Sequence, residues 1–86
     1  TKANQILFDT LYVYLQTNCN IAASAKLLFI HRNSMIYRIK RLEDELKIDF
    51  LNPEVRLHLS ISFEIYNYIK YFDTDNRNAH LVEKNS

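Results

Sequence analysis

The sequence contains no glycine and no tryptophan, and only one proline and one cysteine. Each absence closes off a class of reading. Without glycine there is no phosphate-cradling loop of the kind nucleotide-binding enzymes use, because such loops bring bare backbone close to the phosphate. Sharp turns must also be made by residues that carry side chains. A single Cys19 excludes an internal disulfide, and the three scattered histidines, His31, His58 and His80, give no metal-ligand spacing alongside it. No cofactor or metal is expected, and Cys19 reads as a plain thiol near a helix end. No close pair of carboxylates lies among apolar residues and no nucleophile has a recognisable base partner, so no catalytic residue is assigned and an enzyme is not expected. There is no signal-peptide pattern and no apolar run long enough to cross a bilayer, so no membrane partner and a cytoplasmic location are the expectations.

What is present is 86 residues, 48% of them hydrophobic, enough for one small domain near the lower limit of self-sufficient folding. The chain opens on Thr1 rather than Met, and it is expected to be a piece of something longer. The net charge of +1 argues by itself against a polyanionic partner, but its distribution argues the other way. No acid stands between Asp9 and Glu43, whereas Lys26, Arg32, Arg38, Lys40 and Arg41 all fall in that interval. A phosphate backbone responds to the local field of the face it meets, not to the sum over the molecule.

Periodicity is helical throughout, so the expected class is all-α, a small domain of about four helices. The first helix is expected over 4–17, with Leu7, Leu11, Tyr14 and Leu15 on one side and Phe8 and Tyr12 beside them. Asn20 is suited to cap a second helix over 21–28, whose Ala22, Ala23 and Ala25 allow close approach of a neighbour. A break of three residues, 29–31, leads to a third helix over 32–46. At ~100° per residue, Met35, Ile39, Leu42 and Leu46 share one side of it as a core stripe. Asn33, Tyr37, Lys40 and Arg41 lie opposite, with Ser34 and Asp44 near the margins and Arg38 between the faces. Asn52, Pro53 and Glu54 make a strong start for a fourth helix over 53–72, and residues 73–86 read as a polar, poorly ordered tail. The fourth helix has a polar strip of Arg56, Ser60, Glu64 and Asn67 only, an apolar arc about twice the ~100° that packing on one core requires. A second buried surface is expected.

An eight-residue helix, a three-residue turn and a basic second helix make a helix-turn-helix over about 21–46 within a domain of 1–72. Ala25 falls where the two helices must come close, Ile30 is the apolar plug and Met35 is the contact from the second helix. Phe29 occupies the place usually given to a turn glycine, at a cost of ~1–2 kcal/mol if left-handed, so either the turn is built differently or packing of Phe29 offsets the strain.

The run NxxxxAxxLFIHRNSxxYRIxRLExxL, from Asn20 to Leu46, and the following DFLNPEVRLHLSISF, 49–63, resemble the C-terminal helix-turn-helix domain of PucR-type bacterial transcriptional regulators. That group also contains the sugar-diacid regulators, and a more distant similarity is to the Fis-type DNA-binding domain. The resemblance covers about 6–68, and HRNSxxYR, 31–38, is its most distinctive element. It implies a DNA-binding output domain attached to an N-terminal sensory region. Ser34 stands where threonine is usual, and Lys47 where a glycine helix stop is usual, which leaves the end of the third helix open.

Arg32 and Asn33, in the first turn of the third helix, are candidates for base-edge contact, arginine to guanine and asparagine to adenine. Their structural alternatives are solvation and helix capping, a role His31 can also fill. Ser34 can meet a phosphate or satisfy its own first turn. Tyr37 suits a thymine methyl, sugar or phosphate, or packing on a neighbouring loop. Lys40 and Arg41 are candidate phosphate ligands. Arg38 fits a phosphate or a structural ion pair with Glu64 or Asp9, with structure favoured. The expected partner is double-stranded DNA, with a homodimer through the helix over 53–72 or docking of that helix on the sensory region. The competing reading is a helical protein-interaction module acting through that same apolar helix.

Overall fold

The computed structural model describes the backbone of residues 1–85 and the side chains of residues 1–73. Four helices follow one another, with no strand among the described residues: α1 (Lys2–Gln16), α2 (Ile21–Leu27), α3 (Arg32–Leu46) and α4 (Pro53–Asn85). The class and the order of elements agree with expectation, and the bounds of α3 are those expected. The last helix differs. It continues to Asn85 instead of ending at Phe72, because nothing after Pro53 supplies a second proline or a glycine to stop it. The expectation of a poorly ordered tail concerns side chains outside the described residues.

Each helix begins on a side chain that accepts a first-turn amide. Thr1 Oγ1 takes the Asn4 N–H at 3.2 Å, Asn20 Oδ1 that of Ala23 at 2.9 Å, His31 Nδ1 that of Asn33 at 3.1 Å, and Asn52 Oδ1 that of Glu54 at 3.0 Å. His31, then, caps α3.

The first three helices end alike. Asn18, Phe29 and Lys47 are all left-handed, with φ of 57°, 57° and 54°. In each case the next residue donates five positions back: Cys19 to the Tyr14 carbonyl at 2.7 Å, Ile30 to Ala25 at 3.0 Å, Ile48 to Glu43 at 3.1 Å. This is the reversal that glycine usually makes, and here it is made three times without one. The helix-turn-helix turn is thus of the ordinary left-handed kind, and Phe29 does not relieve it by packing, since it is 95% exposed. The carbonyls the turn satisfies, and Ile30 tucked under it, hold the conformation instead. Lys47 fixes the end of α3 at Leu46 in the same way.

The core forms where α3 crosses α1 and α2. Met35, Ile39 and Leu42 of α3 are buried against Leu11 and Tyr14 of α1 and Ala25 of α2. Leu46, expected as the fourth member of the stripe, is 48% exposed. Phe50, from the loop after Lys47, closes the core there, its ring edge-on to Tyr14 at 5.1 Å and its amide donating to Glu43 Oε2 at 3.0 Å. The start of α4 joins through Phe63, which meets Phe8 and Tyr12 of α1 at 5.1 and 5.3 Å. Beyond Phe63 the described side chains of α4 are exposed.

Candidate nucleic-acid interface

Burial of Met35, Ile39 and Leu42 fixes how α3 is rotated, and rotation decides what it offers outward. Asn33, Tyr37, Lys40 and Arg41 all lie on the exposed side, Tyr37 with 66% of its surface free. Arg32 and Ser34 are exposed in the first turn. Because His31 supplies the cap, the Asn33 side chain is not used for capping. Among the described residues, no hydrogen bond or ion pair engages the side chains of Arg32, Asn33, Ser34 or Lys40.

Two of the expected residues are engaged. Arg38, half-buried, donates from Nη1 to Thr10 Oγ1 of α1 at 3.2 Å, and not to Glu64 or Asp9 as the sequence suggested. Its role as a tie between helices stands, with a hydroxyl in place of a carboxylate. Arg41 donates from Nε to Glu45 Oε1 at 2.9 Å across one turn of α3, with both side chains about half exposed. Glu45, and then Tyr37, hold the Arg41 guanidinium even further above the range in which it loses its proton.

The exposed face of α3 does not stand alone. Asn33, Ser34, Tyr37, Arg38 and Arg41 form one wall of a groove of about 520 Å³, and Ala3, Ile6 and Leu7 from the start of α1 form the other. No spacing or period in the chain points to this second wall. The Arg41–Glu45 pair was available from its four-residue spacing, whereas Arg38 and Thr10 are 28 positions apart and no local pattern joins them.

Elsewhere the chemistry is quiet. Burial pushes the Cys19 thiol up against the pull of Arg56, which keeps it in the unreactive protonated form at neutral pH. Among the described residues no group of three or more histidine, cysteine, aspartate or glutamate side chains is placed to hold a metal ion. Nor is any helix there long and apolar enough to cross a membrane.

A capped helix of seven residues, a left-handed turn and a longer helix packed across it, cationic on its outer side, define a helix-turn-helix domain. The chain belongs to the PucR C-terminal helix-turn-helix domain family, which it matches over residues 7–65. It is 38% identical over 68 residues to the purine catabolism regulatory protein of Bacillus subtilis (strain 168), a match covering 79% of this chain and 13% of that protein. It is 34% identical over 62 residues to the carbohydrate diacid regulator of Escherichia coli (strain K12), covering 72% of this chain and 16% of that protein. The proline-responsive transcriptional activator PutR of Bacillus subtilis (strain 168) is 40% identical over 53 residues, 62% of this chain and 13% of that protein. The chain thus spans less than a fifth of the length of these relatives. No solved structure matches it. Family and relatives together give the domain a DNA-binding role in transcription regulation.

Proposed function

We propose that α3 is a recognition helix that lies in the major groove of double-stranded DNA with the face opposite its buried stripe turned to the bases. One observation carries this reading: a packed helix holds Asn33 and Lys40 exposed on that side, with Ser34 at its margin and Arg32 exposed in the first turn, and none of the four has a partner among the described residues. Arg32 and Asn33, at the end of the helix that reaches deepest, contact base edges. Lys40, Arg41 and Ser34 meet phosphates, and Tyr37 meets a sugar or a thymine methyl. Arg38 sets the pitch of α3 on α1 and borders the backbone of one strand, which enters the groove against Ala3, Ile6 and Leu7.

The relatives carry different names, for purine catabolism, proline response and carbohydrate diacids, yet this chain is similar to all three over 13–16% of their length. That supports reading the segment as a shared output, in a bacterial cytoplasmic regulator whose sensory region lies elsewhere in the full protein. Two copies of the domain would place two recognition helices in successive major grooves, ~34 Å apart, and favour inverted-repeat operators.

Selection of bound duplexes from a random pool tests the reading directly, and a recovered inverted repeat is the expected result. On the selected duplex, Arg32→Ala is expected to cost about 1–3 kcal/mol and to relax preference at one base pair. Lys40→Ala is expected to weaken all duplexes alike and to reduce the logarithmic salt slope by about one. Unchanged specific binding by the double charge reversal Arg32→Glu, Lys40→Glu would refute the assignment and leave the protein-interaction reading of α4.

A further inference from the structure

α4 carries two apolar faces. One holds Leu59, Phe63 and Tyr66 and packs on α1, where Phe8 meets Phe63 and Tyr66 at 5.1 and 5.6 Å and Tyr12 meets Phe63 at 5.3 Å. The other holds Ile61, Ile65, Tyr68 and Phe72, flanked by Leu57 and Ile69, and at 100° per residue its centre lies roughly 160° away. Nothing among the described residues covers it: Ile65 is 54% exposed, Tyr68 69% and Phe72 55%. Contiguous apolar surface of this extent is unusual on a monomer and marks an interaction site.

We propose that this second face is the contact between two copies of the chain, with the two α4 helices antiparallel and the two-fold axis crossing midway between Ile65 and Tyr68. The inference rests on the paired-domain part of the reading above and assigns its surface. Three features select a second copy as the occupant.

The first is spacing. Ile61, Ile65, Tyr68 and Phe72 recur at intervals of four, three and four residues, which is the seam by which helices interlock with their own kind. About the proposed axis, Ile65 of each copy meets Tyr68 of the other, and Ile61 meets Phe72. Every layer then sets one branched aliphatic side chain against one ring, so the volumes match across the seam.

The second is charge. The seam from Leu57 to Phe72 carries no lysine, arginine, aspartate or glutamate, His58 between Ile65 and Ile69 being its one titratable residue, and Glu64 on its margin falls beside Tyr71 of the second copy, away from its own counterpart. A parallel pair would instead bring Glu54, which lies on the same line of the helix, against itself and would crowd ring on ring at Tyr68 and Phe72. Opposed helix dipoles also favour the antiparallel arrangement.

The third is area. Taking ~200 Å² for a side chain of this size, the exposed fractions of Leu57, Ile61, Ile65, Tyr68, Ile69 and Phe72 amount to about 700 Å² per copy, close to the ~800 Å² per partner of a standard stable interface.

Sedimentation equilibrium of the 86-residue chain, paired with circular dichroism, tests this. A concentration-dependent dimer is expected. Ile65→Lys and Phe72→Lys should each raise its dissociation constant at least about tenfold with helical signal retained, since both side chains are exposed in the single chain. In a Cys19→Ser background, Ile61→Cys and Phe72→Cys should form a disulfide-linked dimer on mild oxidation when mixed, and neither should do so alone, because like positions lie about 16 Å apart along the pair. A chain that stays monomeric at every concentration overturns the proposal and gives the face to another partner. So does a dimer indifferent to both lysines, and self-linking of the Phe72→Cys variant alone overturns the antiparallel geometry. A dimer that meets all three tests but binds no duplex would sink the nucleic-acid reading and leave this one standing.

Discussion

Arg38 on α3 reaches across to α1 and donates to Thr10 Oγ1 at 3.2 Å, while the same hydroxyl donates to the Ile6 carbonyl at 2.8 Å. Thr10 is fully buried, so its oxygen has no water to turn to and both its roles are filled by protein. α3 is therefore fastened to α1 by a charged donor on a buried acceptor. Thr10→Val keeps the shape and deletes the acceptor, leaving Arg38 half-buried without it. We expect a loss of about 1.5–3 kcal/mol, read as a lower urea midpoint with an unchanged slope, because a hydrogen bond to a charged group is worth about that much.

Phe29 offers the opposite case, a residue whose side chain does nothing for the fold. It sits at φ 57°, 95% exposed, at the one turn that sets α2 against α3. Removing Cβ relieves the left-handed strain, whereas shortening the side chain does not. Phe29→Gly should stabilise the domain by about 1 kcal/mol and Phe29→Ala should leave it nearly unchanged, a pairing that thermal unfolding of the two variants reads directly.

These two residues also mark what the sequence could and could not convey. Helix order, caps at Asn20, His31 and Asn52, and the inward turn of Met35, Ile39 and Leu42 were legible because each depends on a residue type at a short fixed offset. The left-handed turn at Phe29 was legible as a problem, and only three-dimensional hydrogen bonding from Ile30 to Ala25 resolves it. Thr10 with Arg38, Phe50 with Tyr14, and the wall that Ala3, Ile6 and Leu7 add to the α3 face each join segments far apart in the chain. No period or spacing encodes such pairs. Leu46 failed for the same reason: the wheel gives direction around a helix, but not where along its axis the neighbouring helices stop.

Alkaline pH should loosen the fold in two steps. Burial is the largest cause that pushes both the Cys19 thiol and the Tyr14 phenol above their ordinary values of 9.0 and 10.0. A folded-state value above the unfolded one means that the native protein holds its proton more tightly, so stability is fully present below the unfolded value and falls as pH rises through the folded one. Urea midpoints should stay level up to about pH 9 and then decline. Cys19→Ser should remove the earlier part of the decline and Tyr14→Phe the later part. A midpoint that rises above pH 9 would contradict the burial of both groups.

Glu45 gives the sharpest test of how the α3 face works. Its carboxylate holds Arg41 at 2.9 Å in the half-exposed last stretch of the helix, so a phosphate approaching Arg41 must displace one anion and be repelled by it as well. Glu45→Gln keeps the size and removes the charge. If Arg41 is a phosphate ligand, duplex affinity at low salt should rise, by up to about fivefold on the scale of exposed ion pairs, equally for selected and unrelated sequences because no base is involved. Raising the salt should erase the gain, since both the pairing and the repulsion are screened within about 10 Å at 0.1 M. The same substitution combined with Arg41→Ala should show no gain at all if the effect runs through Arg41. A gain that survives in the double variant would mean that Glu45 acts on the phosphates directly, and that Arg41 is spent on holding the helix.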